Sequence, residues 1–239
     1  MRMPPIEISL LRLAETYGVY HLAQLIAHVK AEMEAHPPKP GDPPTKLALM
    51  LAVWVKLMGS LDGQILKISG TRRKRVEGRA GLDLSNLTAD RFLGRFSGAV
   101  KSDQSSPAAK VAKKKLLDQN PSDIAALPLA DQIQAMEDLG KALPGTDLPI
   151  AKGMHPELVK TTAGLDGAFK GYGTLRRAHS DAKHEGENIE IDWRRVYSAH
   201  AGALRELYPD DPALVEIFFY KESRQDREED EKPATETGG

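Results

Sequence analysis

The chain has 239 residues, 41% of them apolar and 28% charged, which is the composition of a globular protein large enough for one large domain or two smaller ones. It contains no cysteine, so disulfides and thiolate chemistry are excluded and a cytoplasmic setting is expected. The net charge of −1 hides a polarity: 19 Lys/Arg stand against 11 Asp/Glu in residues 1–119, and 14 against 23 in the remainder.

From Met1 to Leu13 there is no long apolar run of the kind that a signal peptide needs. Residues 10–35 carry Leu10, Leu13, Tyr17, Leu22, Leu25, Val29 and Met33 at helical spacing. Six prolines and glycines between Pro37 and Pro44 end that helix, because proline cannot continue the backbone ladder. Thr45 is a candidate cap for a second helix through Leu51, Trp54, Met58, Leu61 and Ile65 to Ile68 and on toward Val76. Its most apolar run, Leu47 to Met58, is about twelve residues long and includes Lys56, too short to cross a bilayer, so no membrane partner is expected. Gly59, Gly63 and Gly70 weaken this helix unless they admit a close neighbour. Gly78 to Asn86 reads as a loop, Thr88 as the cap of a helix bearing Phe92, Phe96 and Val100, and Ser106-Pro107 as another helix start.

The second half repeats this order. Apolar positions from Ile124 to Leu139 predict a helix, broken by Pro144 and Gly145, and a long helix is expected from near Pro156 toward Ala182. A polar loop is expected around His184, Gly186 and Asn188. Asp192 and Asp211-Pro212 then read as two further helix starts, and the charged residues past Lys221 as a disordered tail.

An internal echo joins the halves. Leu61-Asp62-Gly63 recurs as Leu165-Asp166-Gly167, and Arg72-Arg73 as Arg176-Arg177, at a spacing of 104 throughout. Laying residues 53–102 on 157–206 gives ten identities in fifty positions, against roughly three or four expected from composition. The expected fold is therefore all-α, with about eight helices in two diverged four-helix units: a basic one, 1–119, an acidic one, 120–223, and a tail, 224–239. Asp62 is expected to pair with Arg91, and Asp166 with Arg195, as the same structural ion pair used once per unit.

Chemical signatures are few. The chain lacks paired Glu-x-x-His motifs, H-E-x-x-H, a phosphate-binding loop and a nucleophile elbow, so neither a catalytic site nor a metal or other cofactor is predicted. His21 and His28 share a helix face two turns apart, and His179, Asp181, His184 and Glu187 read as solvated. A cleft between units around Asp62, Asp166 and His200 is the one place where an enzyme reading is considered.

The densest charged feature is Arg72, Arg73, Lys74, Arg75 and Arg79, with Lys113, Lys114 and Lys115 further on. Such a run suits phosphates, but no recognition module or interleaved aromatics accompany it, and a nucleic acid is the second-choice partner. At the positions matching the lysine triplet the second half has Phe218, Phe219 and Tyr220, expected to pack inward and to touch another element or subunit. The leading expectation is a non-enzymatic assembly protein, homo-oligomeric through its basic and acidic halves, with these divergent positions as interaction residues.

Overall fold

A computed structural model of the chain describes residues 10–35, 42–102, 121–146 and 148–220, together with Pro107, Lys110, Val111 and Lys114. Every regular element among them is helical. The α-helices are α1 (Val19–Ala35), α2 (Pro43–Ser102), α3 (Pro121–Ala125), α4 (Leu129–Ala142), α5 (Pro149–Leu207) and α6 (Pro212–Ile217). A π-helical turn, Leu13–Gly18, precedes α1, and a 3-10 turn, Leu143–Gly145, follows α4. The described residues thus form six α-helices where about eight were expected.

The count falls because α2 and α5 run on through segments that read as loops. α2 has 60 residues and α5 has 59. The predicted loop at Gly78 to Asn86 lies inside α2, and Thr88 caps nothing: its hydroxyl donates to the Leu84 carbonyl one turn back, at 2.8 Å. Buried Leu82, Ala89, Leu93, Phe96 and Val100 keep the spacing of a single helix face. Their burial outweighs the roughly 1 kcal/mol that each interior glycine costs. The predicted loop around His184 is likewise helical. There Ala182, Gly186, Ile189 and Trp193 repeat every three or four residues on a packed face, and Asp192 pairs with Arg195 instead of capping. α5 also starts earlier than Pro156 and contains that proline at the loss of one backbone hydrogen bond.

One start signal holds. Asp211 caps α6, accepting from the Leu214 amide at 2.9 Å, with Pro212 in the first turn. α2 instead opens at Pro43 and Pro44, where missing amide protons cost nothing, so the expected cap Thr45 lies inside the helix. Ser106, Lys113, Lys115 and the tail 224–239 lie outside the described residues.

Contacts divide the chain into two compact units, one from residues 1–69 and 181–239, the other from residues 70–180. This differs from a division at 119/120, because both long helices contribute to both units. The first unit's core gathers Leu25, Leu47, Trp54, Leu61, Ile68, Trp193, Leu204 and Phe218. The second gathers Phe92, Leu93, Phe96, Met136, Leu143, Leu158 and Leu165.

Close packing falls on glycines other than those expected. A Cβ on Gly59, Gly63 or Gly70 would meet nothing within 4 Å. One on Gly18 would lie 2.4 Å from Met58 Sδ, and one on Gly78 2.4 Å from Leu175 Cδ1. The apolar run at Leu47 to Met58 belongs to a far longer helix. Among the described helices, α2 alone is long and apolar enough to cross a membrane, judged by length and composition.

Candidate functional site

The chain is poor in aromatics, yet nine of its thirteen Phe, Trp and Tyr residues belong to the first unit. Three of them, Trp54, Tyr197 and Phe219, meet the ring of His21, which pairs with His200. At the end of the π-helical turn the Gly18 carbonyl accepts the indole N–H of Trp54 at 3.1 Å. Trp54 is thereby fixed edge-on to His21, one turn further along in α1, with ring centroids 4.7 Å apart.

His21 is fully buried and His200, on α5, is nearly so. His21 Nδ1 lies 2.8 Å from the Phe218 carbonyl oxygen, and its Nε2 lies 3.0 Å from His200 Nδ1. A carbonyl only accepts, so His21 carries its proton on Nδ1 and offers the Nε2 lone pair. His200 Nδ1–H must then donate. The network thus fixes both tautomers and ties α1, α5 and the end of α6 together.

Burial lowers both histidines to a pKa of about 4, opposed at His21 by the bond to Phe218 and reinforced at His200 by the neighbouring ring. Both are neutral at pH 7. Protonating His21 at Nε2 would set two N–H groups against each other, whereas protonating His200 would leave its Nδ1 bond intact.

Around the pair, Phe219 stacks on His21 at 5.1 Å, and Phe218 sits 4.3 Å from His28. Tyr197 stacks on Trp193 at 4.7 Å with only 16° between planes. Burial pushes the Tyr197 hydroxyl up to about 12. Tyr17 meets Trp193, Tyr197 and Tyr220 edge-on. Two clefts of about 610 Å³ flank this cluster. One lies against Arg12, Tyr17, Trp193 and Arg194, the other against Arg205, Tyr208, Pro212 and Phe219; Tyr197 and Ser198 line both. Trp193 Nε1 is buried and finds no acceptor among the described residues.

The residues singled out from sequence are placed as follows. Phe218 is buried and Phe219 and Tyr220 half-buried, all packed on rings from α1 or α5 of their own unit. Arg73, Lys74, Arg79 and Lys114 are exposed, while Arg72 and Arg75 are half-buried. Arg73 pairs with Glu77 and Arg79 with Asp83, both within α2, and the Arg79 guanidinium lies over the Tyr172 ring.

The expected ion pairs need a chain reversal that is missing. Asp62 and Arg91 lie about eight turns apart on uninterrupted α2, as do Asp166 and Arg195 on α5. Asp166 pairs with Lys170 at 2.7 Å, and Arg195 with Asp192 at 3.0 Å.

No cluster of three potential metal ligands occurs among the described residues. His184 is exposed and bonds to Glu187, whereas His179, expected to be solvated, is buried and bonds to Thr71 at 3.1 Å. The sequence reading noticed His21 and His200 separately but missed their pairing. The available signal was the crowding of aromatics at 17–20 and 193–220. No family model, curated protein or solved structure matches this chain.

Proposed function

We propose that the protein is a non-enzymatic assembly protein whose basic unit in one copy docks on the acidic unit of another. The observation that carries this is how charge follows the compact units. Residues 70–180 hold 18 Lys/Arg against 12 Asp/Glu, a net +6, and the remaining segments hold 15 against 22, a net −7. Unlike patches on one chain generate head-to-tail contacts that either close into a ring or continue. The buried histidine pair suits a structural clasp better than acid–base work, since two groups that titrate near pH 4 are poor proton acceptors at neutral pH.

The 104-residue echo supports a duplication underneath this arrangement. At that offset α2 and α5 overlay almost end to end. Fully buried Leu47, Trp54 and Leu61 fall on fully buried Ala151, Leu158 and Leu165, and Val100 falls on Leu204. Each unit then takes the front of one repeat and the back of the other. On this reading a single repeat is incomplete alone, and the chain does internally what a pair of exchanging copies would do.

Sedimentation of the full chain at low and high salt tests the assembly reading. Nucleic-acid binding through Arg72 to Arg79 is less favoured, because no recognition module or interleaved aromatics accompany the run.

A further inference from the structure

We infer that the two clefts beside the histidine pair form one groove for an acidic peptide segment with aromatic or aliphatic anchors, presented by a protein partner. This goes beyond self-association, since it concerns a local surface whose sign opposes that of its unit.

The two clefts adjoin at Tyr197 and Ser198, which line both. Along α5 and its first following residue, Arg194, Ser198, Ala201, Arg205 and Tyr208 recur at alternating steps of four and three. That spacing puts them on one face, over about 21 Å of axis, the reach of roughly six extended residues.

Three exposed guanidiniums, Arg12, Arg194 and Arg205, stand along this line. The only carboxylate among the described lining residues is Glu216. The described residues of this unit hold 9 Lys/Arg against 14 Asp/Glu, so the groove is a cationic strip in an acidic unit. Such a unit disfavours a polyphosphate at long range, while a short segment with two or three carboxylates meets only the strip. Guanidinium suits that ligand because its planar fork can bind a carboxylate bidentately. Arg194 now donates from Nε and Nη2 to a single oxygen of Glu190, at 3.2 and 2.9 Å, so an incoming carboxylate takes the place of that partner one turn back on the same helix.

Half-buried Tyr17, Tyr197, Tyr208 and Phe219 supply the apolar floor. Aromatic rings beside arginine are the composition of binding hot spots. A nucleobase would need an open ring face, and Tyr197 already gives one of its faces to Trp193. A peptide side chain needs only a gap between rings.

The experiment uses the full chain and three fluorescein-labelled probes: a peptide of Glu-Glu-Phe repeats, the same peptide with Lys for Glu, and an oligothymidylate of similar length. Fluorescence anisotropy should show saturable binding of the Glu peptide and at least tenfold weaker binding of the Lys peptide. The double variant Arg194→Glu/Arg205→Glu, its melting temperature unchanged, should lose at least tenfold in affinity for the Glu peptide. Ser198→Trp, which fills the junction of the clefts, should do the same without altering charge. The inference is overturned by a Glu peptide that does not bind, by equal binding of the two peptides, by tighter binding of the oligothymidylate, or by variants that leave the affinity unchanged. The last result would place the peptide on the basic unit instead.

Discussion

His21 and His200 share a buried hydrogen bond, Nε2 to Nδ1 at 3.0 Å, and the far nitrogen of His21 holds the Phe218 carbonyl. The start of α1 is thus closed onto α5 and the end of α6, far along the chain, by two neutral imidazoles. Stability is therefore tied to protonation.

Both folded-state pKa values, about 4, lie below the ordinary 6.5. Between these values the unfolded chain binds more protons, so stability is complete above about pH 6.5 and is lost as pH falls toward 4. At about 1.4 kcal/mol per pKa unit, the pair contributes a loss of a few kcal/mol by pH 5. Thermal unfolding at pH 7 and pH 5 should show a clearly lower Tm at pH 5, and the double variant His21→Phe/His200→Leu should flatten that difference. Equal Tm values for the wild-type chain would contradict the neutral clasp.

The glycines separate by what surrounds them. Gly18→Ala forces a Cβ to within 2.4 Å of Met58 Sδ and 2.8 Å of the Leu13 carbonyl oxygen. It should cost about 1–3 kcal/mol in urea unfolding, as overpacking does. Gly63→Ala meets nothing within 4 Å inside a long helix and should stabilise by about 0.5–1 kcal/mol. A reversed order would mean that the packing at the π-helical turn is misplaced.

Trp54 offers a third test. Trp54→Phe keeps an aromatic body but leaves the Gly18 carbonyl without its indole donor. A loss of about 1–3 kcal/mol is expected from the unmet acceptor and the lost volume. The variant also leaves Trp193 as the sole tryptophan, so its emission reports on the cleft directly.

The helical class, the start of α6 at Asp211-Pro212 and the first apolar stripe were legible in the sequence, because caps, prolines and spacing are local signals. The lengths of α2 and α5 were not. Gly78, Gly81, Asn86, Gly186 and Asn188 carry local loop chemistry, and only the burial of Leu82, Ala89, Gly186 and Trp193 by distant segments overrides it. For the same reason Asp62 and Asp166 were assigned partners across turns that the chain never makes. The histidine pair leaves only a coarse trace, the crowding of aromatics at 17–20 and 193–220, because a hydrogen bond between positions 21 and 200 leaves no spacing to read.

The proposed duplication and exchange make a prediction about fragments. Residues 1–119 and 120–239, produced separately, each lack half of both units. Circular dichroism should show reduced helicity and no cooperative melt for either alone, and recovery of a cooperative melt on mixing. Two independently folded fragments that ignore each other would remove the exchange.

The central claim, association of unlike charged units between copies, is tested most directly by sedimentation velocity of the full chain across salt. Screening lengths fall from about 10 Å at 0.1 M to about 3 Å at 1 M salt, so an assembly held by opposed surface charge should dissolve over that range. The account predicts species larger than the 26.2 kDa monomer at low salt that shift toward the monomer at about 1 M. A chain that sediments as a monomer at both salt concentrations, or an oligomer that high salt leaves untouched, would contradict it.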